Sequence, residues 1–219
     1  MCANFKPISK PKIVQLGLDL QTPNFELGED IYPSHDSALL FYNPNTENIE
    51  WRSVKFGLVP KWAKSLDICR YTYNARTETV HEKPSFSHAW QNNQFALIPV
   101  EIIYEPRYID GKAQRWGISR KDGKPFTVAG LFENTTIDGQ QVRSMTMLTI
   151  NADQHPFMSQ FHHPNDEKRS IIVIPEQHRK DWLNTNYKNA PDFFLDMSDE
   201  FTAKHMPRPQ KISPQHDLF

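Results

Sequence analysis

Phe126-Thr127-Val128-Ala129-Gly130-Leu131-Phe132, then Ile137-Asp138-Gly139-Gln140, then Met145-Thr146-Met147-Leu148-Thr149-Ile150: two apolar runs flank an Asp-Gly pair, and this stretch decides the fold. Asp-Gly tolerates the positive φ that a tight reversal demands, so the runs read as two strands joined by a turn. Lys121-Asp122-Gly123-Lys124 reads the same way, as a turn between a strand over 115–119 and the one that starts at Phe126. Working outward, residues 38–42, 95–98, 102–104 and 170–174 form further short apolar or alternating runs. Helical patterns are fewer: 79–90, which contains Pro84, then 153–161, and 176–183 behind Pro175. Strands dominate and few are separated by helix-length crossovers. The expected fold is α+β: a single mixed domain built mainly on antiparallel, barrel-like β-sheet with a few short helices. It spans residues 1–204, and the proline-bearing segment 205–219 is expected to be a loose tail.

Composition narrows the function. The chain has 219 residues, enough for one well-buried domain, and its 25 Lys+Arg nearly balance 26 Asp+Glu. A protein that coats nucleic acid through bulk charge would be basic overall, so any DNA contact is local. No run of about 18 apolar residues marks a membrane span. The N-terminus has no apolar core of a secretion signal, and two cysteines, Cys2 and Cys69, make no disulfide framework. A cytoplasmic protein, nucleoid-associated when on DNA, is expected. Charge does cluster: between Trp51 and Arg76 lie six basic residues and one acid, Asp67, interleaved with Trp51, Phe56, Trp62, Tyr71 and Tyr73. Cations for phosphates beside aromatic platforms for unpaired bases suit single-strand binding. The same pattern also fits a solvated basic face over core aromatics.

Several residues have chemistry available. Loss of Met1 gives Cys2 both a free α-amine and a thiol, with reference pKa values of about 8 and about 8.5. Such a 1,2-aminothiol forms an imine with an aldehyde and then closes a thiazolidine ring intramolecularly. Asn74 can orient a reacting group, and Arg76 can clamp a phosphate. Glu105 ends an apolar run, where partial burial raises a carboxyl pKa toward neutrality. His155, His162 and His163 lie near Lys168 and Arg169, and a histidine there can shuttle protons. Their spacing fits no common zinc pattern, so neither a metal nor a cofactor is expected.

These pieces occur in one order: Cys2; Phe56-Gly57-Leu58-Val59-Pro60-Lys61-Trp62-Ala63; Asn74-Ala75-Arg76-Thr77-Glu78-Thr79; Ile98-Pro99 with Tyr104-Glu105; Ala129-Gly130-Leu131-Phe132-Glu133; and Phe161-His162 ahead of Lys168-Arg169. That order resembles the SRAP family (SOS response-associated peptidase), over residues 2 to about 183. The resemblance implies an abasic-site processing protein that removes its own Met1 and links Cys2 to the ring-opened sugar as a thiazolidine. It implies that Asn74 positions the sugar, that Glu105 assists ring opening, crosslinking and reversal, and that His162, with His163 as the alternative, serves Schiff-base chemistry. Arg76 and Arg169 resemble phosphate-binding arginines, with Lys168, Lys61 and Trp62 beside them in the DNA-binding set. The expected partner is single-stranded DNA containing abasic sites, including single-strand to duplex junctions, bound by a monomer. Cys2-Ala3-Asn4 departs from the family's usual Cys-Gly-Arg, which leaves Lys6 as a substitute cation. Pro106 stands where the family often has Trp. A cysteine peptidase acting on other proteins and a non-catalytic single-strand binding module remain as alternatives.

Overall fold

The computed structural model describes residues 2–208. Eleven strands follow in order: β1 (Asn4–Pro7), β2 (Asp36–Asn43), β3 (Asn48–Phe56), β4 (Asn74–Arg76), β5 (Phe95–Ile109), β6 (Lys112–Arg120), β7 (Phe126–Ile137), β8 (Gln140–Asn151), β9 (Arg169–Ile171), β10 (Val173–Ile174) and β11 (Phe201–His205). Two short α-helices, α1 (Ser87–Gln91) and α2 (Arg179–Asn184), accompany several 3-10 turns. The sheet runs β10-β7-β8-β3-β2-β5-β6-β11, and a further pairing of β5 with β7 closes β2, β3, β8, β7 and β5 into a five-stranded barrel. Pairing is antiparallel except for β3 and β4 on β8. The expected fold class is the observed one.

Residues alternate along β2 between two buried sets. Leu39 and Phe41 join a cluster to which all five barrel strands contribute, while Ala38 and Leu40 face a second cluster that contains Trp90 of α1 and Trp182 of α2. Burial on both faces yields the unbroken apolar runs of the sequence. The long strand β5 divides its duties. Its first half pairs with β7 inside the barrel, through Phe95↔Leu131 to Val100↔Phe126. Its second half leaves the barrel and pairs with β6, through Ile103↔Ile118 to Ile109↔Lys112. Pro99 sits inside this single strand, so the two short strands expected over 95–98 and 102–104 are one.

The Asp138-Gly139 reversal joins β7 to β8 as expected, with φ of 49° and 78°. The Asp122-Gly123 turn does not join paired strands. β6 pairs with β5 and β11, and β7 turns back to close the barrel. A third reversal, Asp110-Gly111 with φ of 50° and 73°, forms the β5–β6 hairpin and aims the end of β5. Helix was expected over 79–90 and 153–161. Only Ser87–Gln91 is α-helical in the first and only a 3-10 turn, Met158–Gln160, forms in the second. Pro84 and Pro156 each lack a donor and exclude the preceding residue from helix. The expected 176–183 helix forms as a 3-10 turn running into α2. β1, β3, β4 and β11 are strands beyond those expected; β11 ends at His205, paired with Trp116. The remainder of the expected loose tail, from 209 on, lies outside the described residues.

The excursion from residue 57 to 73 is pinned at its neck. Gly57 has φ of 114°, and a Cβ there would meet the Cys69 backbone at 2.3 Å. The Leu58 N–H donates to the Thr72 carbonyl at 3.1 Å. The loop therefore returns in a fixed register and delivers Asn74 beside β8.

Candidate active site around Cys2

Cys2 precedes β1, packs in the cluster shared by the barrel strands and is 2% exposed. β4, only three residues long, holds Asn74 opposite Met147 of β8. From there the Asn74 amide donates to the Cys2 carbonyl at 2.7 Å, while its own buried Oδ1 has no hydrogen-bond partner among the described residues. That oxygen is left able to accept a further hydrogen bond.

Glu105 lies where β5 has left the barrel, on the alternation that carries Ile103, and is 3% exposed. Burial lifts its carboxyl to about 7, so near neutrality it divides between acid and anion. The Cys2 thiol is raised well above its ordinary value, first by burial and then by the charge of Glu105. In this state the sulfur is a protonated thiol within reach of the Glu105 charge.

His162 completes the group. Its backbone N–H donates to the Pro106 carbonyl at 2.7 Å and holds the residue at φ of 65°, a conformation costly for a non-glycine residue. The ring Nδ1 is 3.6 Å from Glu105 Oε2, and Nε2 is 3.3 Å from the Arg169 carbonyl. A carbonyl only accepts, so Nε2 carries the proton and Nδ1 turns its lone pair to Glu105. Burial lowers the imidazole to about 4. The distance alone suggests an ion pair. With Glu105 raised and His162 lowered, the contact is between neutral groups across most of the range below 7. His163, by contrast, is exposed and meets the Tyr108 ring edge-on at 4.9 Å.

The expected DNA-binding residues are distributed differently. Arg169 is buried, its guanidinium donating to Glu78, Glu167 and the Thr149 carbonyl. It presents no free cation, and its carbonyl orients His162. Arg76 is exposed and bonded to Glu167 at 2.7 Å. The Lys168 ammonium donates to the His163 carbonyl, and Lys61 reaches buried Glu133 at 3.3 Å. Trp62 is 54% exposed, with its indole N–H on the Pro84 carbonyl at 3.2 Å. Exposed Tyr71 joins it along an open cavity of about 470 Å³. Lys6, the expected substitute cation, is held by Glu101 at 3.3 Å. The cation at Asn4 is instead Arg115, which donates to Asn4 Oδ1 at 2.9 Å.

Two residues near the site, Arg107 and Arg115, escaped sequence reasoning, and a third, Tyr73, was expected only as one of the aromatic platforms. Tyr73 is half-buried; its phenol is raised by burial and by the charges of Cys2 and Glu105. Arg107, two residues beyond Glu105, bridges to His162 through its backbone, and its guanidinium lies 4.7 Å from the Trp116 ring with no carboxylate partner among the described residues. Arg115 reaches Asn4 only through the pairings of β5 with β1 and β6. Local sequence carries no signal for such register effects. Among the described residues no group of three or more His, Cys, Asp or Glu side chains is arranged to hold a metal ion.

The family model for SOS response associated peptidase (SRAP) matches residues 1–210. The chain is 30% identical over 212 residues to the abasic site processing protein YoaM of Bacillus subtilis, covering 94% of this chain and 88% of that one. It is 29% identical over 216 residues to YoqW, an abasic site processing protein of the same organism, covering 94% and 90%. A crystal structure of a Bordetella bronchiseptica protein superposes with a TM-score of 0.86 at 28% identity, over 94% of this chain and all of that one.

Proposed function

Because the chain belongs to the SOS response associated peptidase family, we propose that it processes abasic sites in DNA, and that it does so by linking Cys2 covalently to the exposed sugar aldehyde. The observation that carries this reading is the junction of Cys2 with Glu105, His162 and Asn74 in one water-poor group. Hydrolysis of the Met1–Cys2 amide consumes one water and frees the Cys2 amine. That amine attacks the aldehyde carbon of the ring-opened deoxyribose, and water leaves to give an imine. The thiol proton passes to the Glu105 carboxylate, sulfur adds to the imine carbon, and the proton returns to nitrogen. The condensation with the sugar loses one water, and the product is a thiazolidine. His162, neutral and fixed by the Arg169 carbonyl, accepts or returns protons through Nδ1. Asn74 holds the Cys2 backbone and offers Oδ1 to a sugar hydroxyl.

A base-free sugar in an unpaired strand reaches such a buried group more readily than a sugar within a duplex, which supports single-stranded DNA as the preferred partner. Trp62 and Tyr71 offer stacking surfaces, and Arg76 offers phosphate contact when Glu167 gives way.

Intact mass spectrometry of the protein mixed with single-stranded oligonucleotide containing one abasic site tests the reading. The expected spectrum shows the chain starting at Cys2 plus the oligonucleotide minus one water, stable to heat. Cys2→Ala should show no such adduct. Unmodified protein under these conditions overturns the crosslinking mechanism, and an equal adduct on Cys2→Ala reassigns the nucleophile.

A further inference from the structure

A cavity of about 630 Å³ lies over β1, β5 and β6, lined by Tyr32, Tyr104, Glu105, Gln114, Arg115 and Arg208 among others. Two of its lining residues adjoin the site already described: Ala3, which follows Cys2, and Glu105, whose neighbours Tyr104 and Pro106 line the other face of β5. The cavity is therefore next to that site, one strand-thickness from the Glu105 carboxyl.

Its chemistry is distinctive. The Arg115 guanidinium lies 3.3 Å from the centre of the Tyr104 ring, fixed there by Asn4 and by Asp30 at 3.1 Å. The Arg208 guanidinium lies 5.2 Å over the Tyr32 ring, with no carboxylate partner among the described residues. Tyrosine faces and guanidinium planes are both surfaces on which an unpaired base stacks. The Gln114 amide, also without a hydrogen-bond partner among the described residues, offers a donor and an acceptor to a base edge. The volume falls within the range of small-molecule sites and admits one nucleoside. Arg208 at the chamber adds charge for the phosphate that joins this nucleoside to the abasic sugar.

We infer that this chamber receives the base of the nucleotide adjacent to the abasic site, so that the protein grips a neighbouring base to bring the base-free sugar to Cys2. The inference rests on the reading of the site as an abasic-DNA site, and it adds a requirement that crosslinking chemistry alone does not impose: a base must be present next door. Recognition is by stacking and is tolerant of base identity.

The test is equilibrium binding by fluorescence anisotropy, using single-stranded oligonucleotides with a central tetrahydrofuran nucleotide, which has neither base nor aldehyde. The neighbour on the 5′ or the 3′ side is left intact or is itself replaced by tetrahydrofuran. Removing the base on one side should weaken binding roughly five- to a hundredfold, the range of one base–aromatic stack, and removal on the other side should matter less. Arg208→Ala and Tyr32→Leu, both on the chamber wall away from the barrel core, should erase that difference between sides. Equal binding whichever neighbour lacks its base, a base dependence undiminished in both variants, or no measurable binding overturns the inference. Adduct formation is scored separately with aldehyde-bearing oligonucleotide. Adducts without base-dependent binding refute the chamber and keep the crosslinking reading, whereas base-dependent binding without adducts does the reverse.

Discussion

Glu101 and Glu105 stand four residues apart on β5, are 8% and 3% exposed, and have opposite characters. Burial raises both. At Glu101 the Ser9 N–H at 2.9 Å and the ammonium groups of Lys12 and Lys6 at 3.1 and 3.3 Å outweigh it and bring the carboxyl down to about 2. At Glu105 no comparable set of donors exists among the described residues, Oε2 has no hydrogen bond there, and burial lifts the carboxyl to about 7. Partners, rather than depth, decide whether a buried carboxylate is structural or reactive. The first glutamate ties β1 and the following 3-10 turn to the barrel. The second is held where ionisation is nearly free to go either way, as proton transfer near neutrality requires.

The largest expected break in this comparison is kinetic. Glu105→Gln should slow adduct formation on saturating abasic oligonucleotide by about 10²- to 10⁴-fold, the usual worth of a positioned acid–base group. Glu101→Gln should leave that rate unchanged. Single-turnover gels on both variants make the measurement, and equal rates for the two would remove Glu105 from the proton transfers.

Stability should separate them in the other direction. A carboxyl raised in the folded state binds its proton more tightly there, so its cost is absent below the ordinary value of 4.5 and grows as pH rises through about 7. Glu105→Gln should therefore gain stability relative to the parent at pH 8, on the order of 3 kcal/mol, and lose that advantage by pH 4. Glu101 has the opposite sign: its contribution is complete above 4.5 and disappears as pH falls toward 2. Glu101→Gln should cost about 1–3 kcal/mol at pH 7 by leaving two lysines without their anion. Urea titrations at pH 4, 7 and 8 decide both, and a Glu105→Gln protein less stable than its parent at pH 8 would mean the carboxylate has partners after all.

The same distinction explains what the sequence could and could not reveal. The barrel strands were legible because both faces are buried, which writes Ala38–Tyr42 and Phe126–Phe132 as apolar runs. β3 was not, because Glu50, Arg52 and Lys55 interrupt its alternation, and its outer face is only partly covered. Pro84 and Pro156 cut helices that the apolar spacing alone suggested. Cys2, Asn74, Glu105 and His162 were legible through the order of their motifs, and the structure brings them together. The partners of charged groups were not legible, because they depend on register. Nothing near Arg169 in the chain announces that Glu78 will bury it, and nothing near Arg115 announces Asn4. Cations chosen from sequence for DNA contact therefore divide into neutralised and free only once the sheet is assembled.

That division yields the smallest effect. Glu167 holds Arg76 at 2.7 Å and also contacts Arg169 at 2.8 Å, but Arg169 keeps Glu78 at 2.8 Å without it. Glu167→Gln should leave Arg169 and its carbonyl contact with His162 in place while releasing Arg76, whose pair is exposed and worth only about 0.2–1 kcal/mol. Affinity for tetrahydrofuran-containing single strands should rise by a factor of roughly two to five, with a salt dependence steeper by about one phosphate contact. Arg76→Ala in the same background should return both quantities to the parent values. If Glu167→Gln tightens binding and Arg76→Ala fails to reverse it, the gain comes from removing a negative charge near the strand, and Arg76 is not the phosphate contact. If neither change moves the salt slope, the exposed arginine of β4 is away from the DNA path, and Arg107, which has no carboxylate partner among the described residues, is the cation to test next to Glu105 and His162.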